Sequence, residues 1–345
     1  MIRVSAELLT RTVGGVFVAA GVQEEAAKQV AESLVENNLV GHDSHGVLRV
    51  GSYIQALEDG KLDPQGETTI LRESATTALV DGGRNWGILV ARAAMDLAMA
   101  KAREHDLGMV AIRNTAHTGR LGEYVTRAAQ EGFVAMVIGT GSRPGGTVAP
   151  FGAASPVFNT NPLSWGAPAS RFPAVFVDFA TSTAAWGKIQ SALDKGTSIP
   201  LGWLLNAQGQ PTTDPADQRS GGVQLTFGEH KGSGLAFMVE LLCGGLTGVS
   251  CAALDDYASQ YVLVMGVVNI AAFQPLDRFR SMVDGLIDAV KGARKAPGVD
   301  EIYVPGELEW RTREQRLQEG IEVPEAAWER IVAAGERYGY RVTAE

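Results

Sequence analysis

Between residues 76 and 141, apolar segments of two different periods alternate, and this alternation limits the fold more than anything else in the chain. "TTALVDGG" (76–83), "LGMVAIRN" (107–114) and "FVAMVIGTG" (133–141) are short, β-branched and apolar, with the character of strands. Between them, "GILVARAAMDLAMAKAREH" (87–105) and "GEYVTRAAQEG" (122–132) carry apolar residues at helical spacing. Strands alternating with helices predict an α/β core.

The flanking sequence extends this pattern. Residues 5–40 predict two helices joined near Gly21, the first opened by Ser5 and the second charged at its start by Glu24 and Glu25. "VGSYIQALEDGKL" predicts a short helix ending at Gly60. Residues 139–168 turn to Gly, Pro, Ser and Asn with little periodicity. A strand "AVFVDFATS", a helix "AAWGKIQSALDKG" and a polar loop over 206–222 follow. Then come an apolar helix "KGSGLAFMVELLCGGLTG", a strand "YVLVMGVVNI", and a charged helical tail from 275 interrupted by a short strand "EIYVPG". No repeat or low-complexity linker divides the chain.

Composition removes several function classes. With 30 basic and 39 acidic residues the net charge is −9, which leaves no basic face for a nucleic acid but allows a local pocket for one small anion. Cys243 and Cys251 are too few for a disulfide framework or a four-thiolate zinc site, and predict buried free thiols in a reducing cytoplasm. No apolar run approaches the ~18 residues of a membrane span. "TVGGVFVAAGV" (12–22) superficially resembles a leader, but its apolar spacing fits an amphipathic helix better. The 41 glycines in 345 residues exceed the ~7% of ordinary proteins and predict tight turns and close backbone approaches.

Two stretches carry candidate chemistry. "VGHDSHGVLR" (40–49) holds two of the chain's five histidines beside an acid, a hydroxyl and an arginine. Read as a helix, it places His42 and His45 on one face, and His45 with Arg49 four residues on. The pair His45 and Arg49 suits a proton carrier beside a clamp for a carboxylate. Metal binding by His42 and His45 would make a hydrolase, but no further ligand follows at a recurring spacing. A helix end capped by Asp43 or Ser44 is the bland alternative. "RNTAHTGRLGEY" (113–124) puts His117 between a strand end and a helix start, where α/β proteins carry function. Its bland alternative has Thr118 as a cap, with Arg120 and Glu123 as solvated charges. Asp178 ends an apolar strand, where a carboxylate needs a partner. His105, at a helix end, predicts a structural role, and Trp165, Trp186 and Trp203 predict core or loop anchors.

A Rossmann dinucleotide site is not encoded. "GTGSRP" follows a strand, but Pro144 stands at the third glycine, no periodic helix follows, and the next acid is Asp178 rather than one ~20 residues on. A glycine-lined turn can still hold a phosphate or ribose through its N–H groups. "GEHKGSGLAF" (228–237) is a second candidate anion loop, though not a Walker A sequence.

Taken in order, "GHDSHGVLR", "NTAHTG", "TNPLSWGAP", "VDFATS", "GQPTTDP", "EHKGSG" and "VPGE" resemble the malate/L-lactate dehydrogenase family of NAD(P)-dependent oxidoreductases, over roughly residues 5–335. The resemblance implies a non-Rossmann α/β fold with a mainly antiparallel central sheet flanked by helices. It implies a helical substrate and dimer domain (1–75 with 305–345) and a nicotinamide-cofactor domain (76–304). It implies hydride transfer between NAD(P)H and a small 2-oxo or 2-hydroxy acid, with a cyclic imine acid such as Δ1-piperideine-2-carboxylate as the rival substrate, in a cytoplasmic homodimer. Carried over by position, Ser44, Arg49 and Tyr53 surround the substrate and His45 or His117 moves the proton, with a near-neutral pKa suiting both directions. Ser142, Asp178, Phe179, Ala180, His230, Lys231, Gly306 and Glu307 contact the cofactor. At "TFGEHKG" the family pattern reads Pro-Phe-Gly-Gly-His-Lys-Gly, so Thr226 and Glu229 depart from it. A carboxylate at Glu229 disfavours an extra phosphate and favours NAD over NADP.

Overall fold

The computed structural model of the chain describes residues 1–258 and 260–342. A short strand β1 (Ile2–Val4) leads into α1 (Ala6–Ala19), α2 (Glu24–Leu39) and α3 (Val50–Glu58). Ser5 caps α1 by accepting the Leu8 N–H at 3.2 Å. The apolar stripe predicted within 12–22 is real: Val13, Val16 and Phe17 are buried against α2 and α3.

Next in order come β2 (Thr69–Glu73), β3 (Thr77–Asp81), α4 (Gly87–His105), β4 (Leu107–Thr115), α5 (Gly122–Gln130), β5 (Phe133–Thr140), β6 (Pro162–Ala167), β7 (Val175–Ala180) and α6 (Trp186–Asp194). A small sheet of β8 (Leu204–Leu205), β9 (Pro211–Thr212) and β10 (Val223–Gln224) brackets the expected polar loop, with only β9 inside it. After α7 (His230–Glu240), which runs on through a π-helical turn at Leu241–Gly245, come β11 (Tyr261–Asn269), α8 (Leu276–Lys291), α9 (Glu307–Glu319), β12 (Ile321–Val323) and α10 (Glu325–Arg337).

Seven strands form the central sheet in the order β2-β3-β4-β11-β5-β6-β7. Only β3 and β4 run parallel; the other neighbours are antiparallel. The middle strand β11 shows why "YVLVMGVV" is apolar throughout. Leu263, Met265 and Val267 pack on one side with residues of α4 and α5, while Val262 and Val264 pack on the other with Val239 and Cys243. A period of two with both faces covered leaves no polar position. A separate apolar core joins α1, α2 and α3 to β12 and α10, and β1 pairs with β12.

Several expectations need correction. Residues 301–306 form no strand: Glu301 is captured by Arg311 (2.8 Å) and the Ile302 carbonyl by Lys291 (3.3 Å), so the segment is irregular. Residues 42–49 are not one helix but two 3-10 turns, Asp43–His45 and Val47–Arg49, broken at Gly46. Of the three tryptophans, Trp203 packs in a core beside Ile189 and Leu204, whereas Trp165 and Trp186 are 52% and 37% exposed, which removes the core half of that expectation for them. Cys243 is buried, but Cys251 is only half-buried.

Candidate active site

Buried amides at the end of α2 shape the first histidine loop. Asn37 Nδ2 donates to the His45 carbonyl (3.1 Å). Asn38 donates to Asp43 (2.6 Å) and accepts the Val47 N–H (2.8 Å). Asp43 also pairs with Arg316 of α9 (2.7 and 3.2 Å), so it ties the loop to a distant helix rather than capping a local one. Arg49 folds back through Nε onto the Ser44 carbonyl (2.8 Å), and Ser44 Oγ lies 3.1 Å from His45 Nδ1.

The second histidine loop packs against the start of α4. A Cβ on Gly87 would lie 2.2 Å from the Ala116 oxygen and 2.5 Å from that of His117, so only glycine admits this approach. His117 Nδ1 accepts the Gly119 N–H (3.3 Å) and lies 2.9 Å from the Tyr53 hydroxyl. A backbone N–H can only donate, so the neutral ring carries its proton on Nε2. The two loops bring His45 and His117 together as stacked rings, with centroids 5.8 Å apart. Tyr261 of β11 meets His117 edge-on at 5.3 Å.

Electrostatics at this junction differ from the near-neutral histidine that the sequence predicts. Burial, then the neighbouring charge of Arg49 and smaller contributions from His42 and Arg120, lowers His45 to about 3. Burial followed by Arg49 and His45 holds His117 well below its ordinary value. Both rings are therefore neutral at physiological pH in the free protein. Burial raises the Tyr53 phenol, which stays protonated as a partner for His117.

The histidines open on a cavity of about 730 Å³, within the range of small-molecule sites. Ser44, His45, Arg49 and His117 form one side; Ser142, Asp178, Phe179 and Ala180 lie along the same cavity. Tyr53 stands behind His117, off the lining. Asp178 has the partner its burial demands: Oδ2 accepts the Gly122 N–H at the start of α5 (2.6 Å). Burial nevertheless keeps its pKa raised, against the opposing pull of Arg120 and that bond. The lining carries four fixed cations, Arg49, Arg120, Arg143 and Lys188, against the one carboxylate of Asp178, within a chain of net charge −9. It is built for anions.

Other predicted site residues lie elsewhere. His230 and Lys231 are exposed at the start of α7, with His230 edge-on to Phe151 at 6.0 Å in a neighbouring apolar cleft. Gly306 (φ +83°) lies against Phe176, whose ring a Cβ would meet at 2.9 Å. Glu307 is buried in an ion-pair cluster with Lys291 and Arg311, both at 2.6 Å. His42 turns to Glu309 (3.4 Å) while His45 turns to His117, so the two do not act as a ligand pair. Among the described residues no group of three His, Cys, Asp or Glu could hold a metal.

Sequence reasoning missed Asn37, Tyr261 and above all Arg120. Arg120 is 4% exposed rather than solvated, and its Nε donates to Asn37 (3.0 Å). Glu123 likewise is tied to Arg92 and Ser33. The available signal was the crowding of His117, Arg120 and Glu123 within seven residues.

Residues 4–332 match the sequence model of the malate/L-lactate dehydrogenase family. The chain belongs to that family. This malate/L-lactate dehydrogenase family member is accordingly an oxidoreductase of the hydroxy-acid dehydrogenase type. It is 36% identical to L-sulfolactate dehydrogenase of Methanothermobacter thermautotrophicus, over 96% of this chain and 95% of the relative. It is 34% identical to malate dehydrogenase of Pyrococcus abyssi, over 99% of this chain and 96% of the relative. Its fold superimposes on the solved malate dehydrogenase of Pyrococcus horikoshii OT3 with a TM-score of 0.89 at 31% identity, covering 99% and 96% of the two chains.

Proposed function

We propose that the chain interconverts a small 2-oxo acid and its 2-hydroxy acid with a nicotinamide nucleotide as redox partner, at the junction of His45, His117 and Arg49. The observation that carries this is the pair of stacked imidazoles beside an arginine in one cation-rich cavity. The cavity also fits the nucleotide. Beyond the histidines it runs past the turn at Gly141–Arg143, where the Ser142 and Arg143 N–H groups meet no acceptor among the described residues. Ser142, Asp178, Phe179 and Ala180 would hold the nucleotide there, outside any Rossmann arrangement, as a largely antiparallel sheet requires. When bound, nicotinamide supplies or accepts the hydride.

The chain's own residues orient the acid and manage its proton. Arg49 has Nε committed to Ser44, which leaves its terminal nitrogens for the substrate carboxylate. In oxidation, a neutral imidazole is already in the state needed to take the hydroxyl proton. In reduction the proton must first be loaded. A carboxylate against Arg49 offsets the positive charge that lowers both histidines, so substrate binding itself raises their pKa. His45 is the proposed proton carrier. His117, with Nδ1 occupied, offers Nε2–H to the substrate oxygen as a hydrogen-bond donor that orients it.

In this proposal NAD is preferred to NADP because of Glu229, although Glu229 lines an adjoining cleft rather than the main cavity. The acting unit is a cytoplasmic homodimer, with a helical substrate domain (1–75 with 305–345) and a cofactor domain (76–304); the two main apolar cores follow that division in large part, with Trp86 and Ile88 packed in the helical core and Trp310 in the sheet core across it. Among the described residues no helix is long and apolar enough to cross a membrane.

The test follows NADH and NADPH oxidation with 2-oxo acids and Δ1-piperideine-2-carboxylate. The expected result is turnover of a 2-oxo acid, with His45→Ala lowering kcat by about 10²–10⁴-fold. The larger loss in His117→Ala would make His117 the proton carrier. Turnover of the imine alone would move the enzyme to C=N reduction, and failure to bind either nucleotide would overturn the proposal.

A further inference from the structure

We propose that Arg120 recognises a second anionic group on the substrate, at the end away from the carboxylate held by Arg49. This rests on the activity proposed above and narrows its substrates to 2-oxo and 2-hydroxy acids bearing a further carboxylate or sulfonate.

Arg120 sits in the loop between β4 and α5, lines the cavity, and is almost completely enclosed at 4% exposure. Its guanidinium is fixed from two sides: Nε donates to Asn37 Oδ1 (3.0 Å), and Cζ lies 5.5 Å from the centre of the Phe176 ring. Nη1 is buried and has no acceptor among the described residues. Other partly buried arginines are matched by carboxylates: Arg92 by Glu123 (2.6 Å), Arg316 by Asp43 (2.7 Å) and Arg313 by Glu36 (2.8 Å). Arg120 makes no ion pair of that kind among the described residues. The nearby acid, Asp178, directs Oδ2 to the Gly122 N–H instead. Gly122 makes room for this arrangement, since a Cβ there would lie 2.3 Å from Nη1 and 3.0 Å from Asp178 Oδ2.

A buried guanidinium with no carboxylate in direct contact, and only the hydrogen-bonded Asp178 nearby, is incompletely balanced, and an anion entering the cavity offsets that cost. Arg49 already answers one carboxylate. Two arginines that line one cavity and both act on His45 therefore favour an acid with two anionic groups, and a substrate with an apolar end would leave Arg120 with Asp178 alone.

The experiment compares oxaloacetate with 2-oxobutanoate, which has the same four carbons but an uncharged end, in wild type, Arg120→Gln and Arg120→Lys. Wild type is expected to prefer oxaloacetate by at least about tenfold in kcat/KM. Arg120→Gln should lower kcat/KM for oxaloacetate by about 30- to 100-fold, mainly through KM, and change that for 2-oxobutanoate by less than about threefold. Arg120→Lys should recover part of the loss. It also serves as the variant to read if Arg120→Gln does not fold, with a smaller loss confined to oxaloacetate. A calorimetric titration with hydroxymalonate should weaken in parallel with that loss.

Equal losses for both acids would overturn the assignment and make Arg120 a structural partner of Asp178. A rise confined to the nucleotide KM would overturn it in favour of a phosphate contact. Turnover of both acids by wild type without preference overturns this assignment alone. Nucleotide binding with no turnover of any 2-oxo acid overturns the activity proposal and this assignment with it.

Discussion

The two sides of the cavity are built in opposite ways. On the histidine side the backbone is pinned by buried side chains: Asn37 holds the His45 carbonyl, Asn38 spans Asp43 and Val47, and Gly87 admits the His117 loop against α4. On the other side, Arg143, Trp186 and Lys188 are exposed, and Phe179 is 39% exposed. One side is preorganised for chemistry that tolerates little misplacement. The other offers open backbone and exposed cations to a larger ligand. Precision is concentrated on the side where the proposed proton transfer would take place.

The most damaging way to break this contrast is Asn37→Ala. Asn37 is fully buried and joins the two loops, donating to His45 and accepting from Arg120. Its loss leaves a buried carbonyl and a buried N–H unpaired, and should lower stability by about 2–4 kcal/mol in urea unfolding. It should also lower kcat by about tenfold through misplacement of His45. A loss under about 0.5 kcal/mol would show that the pinned side is not held as described.

Next in size is a response to acid. His45 titrates at about 3 in the folded chain, against an ordinary value of 6.5, and His117 is shifted in the same direction. Above pH 6.5 neither folded nor unfolded chain binds these protons, so they add no pH dependence. As pH falls from 6.5 towards 3, the unfolded chain takes up protons that the fold refuses, and stability falls. Urea midpoints for wild type should therefore drop more steeply over this window than those of His45→Asn. Parallel curves would show that His45 is not kept neutral by the fold.

The smallest effect sharpens the comparison from the other side. Glu229 has φ +56° and ψ −118°, a conformation suited to glycine, just before α7. Glu229→Gly should raise stability by about 1 kcal/mol, after allowing for the added freedom of the unfolded chain, and thermal denaturation would show it as a higher midpoint. A fall in the midpoint would mean that the Glu229 side chain holds the loop.

The fold was legible wherever periodicity was undisturbed. Helix α4 was read to its end residues, and β4, β5 and β11 were all read from apolar runs. Strand β6 was missed because "PLSWGA" has neither alternation nor β-branched residues; its Ser164 fits inside the sheet by donating to the Val177 carbonyl (2.7 Å). Strand β2 was missed because all five of its residues are exposed at the sheet edge. At the site, His45, His117 and Arg49 were visible as unusual residues in dense polar settings. Arg120 was not, because an arginine beside a glutamate reads as solvated until the packing of Phe176 and Asn37 is known. The depressed histidine pKa values were equally hidden, since they arise mainly from burial.

The placement of β11 also bears on the birth of the molecule. Residues 261–269 pair with β4 on one edge and β5 on the other, so both of those strands leave the ribosome long before the segment that joins them. Translation at about 5–20 residues per second leaves an interval of roughly ten seconds. During it, two apolar strand edges have no native neighbour, and the nascent chain is open to mispairing or to capture by a chaperone. Insertion of one late strand then completes the sheet and seals the cores on both of its faces.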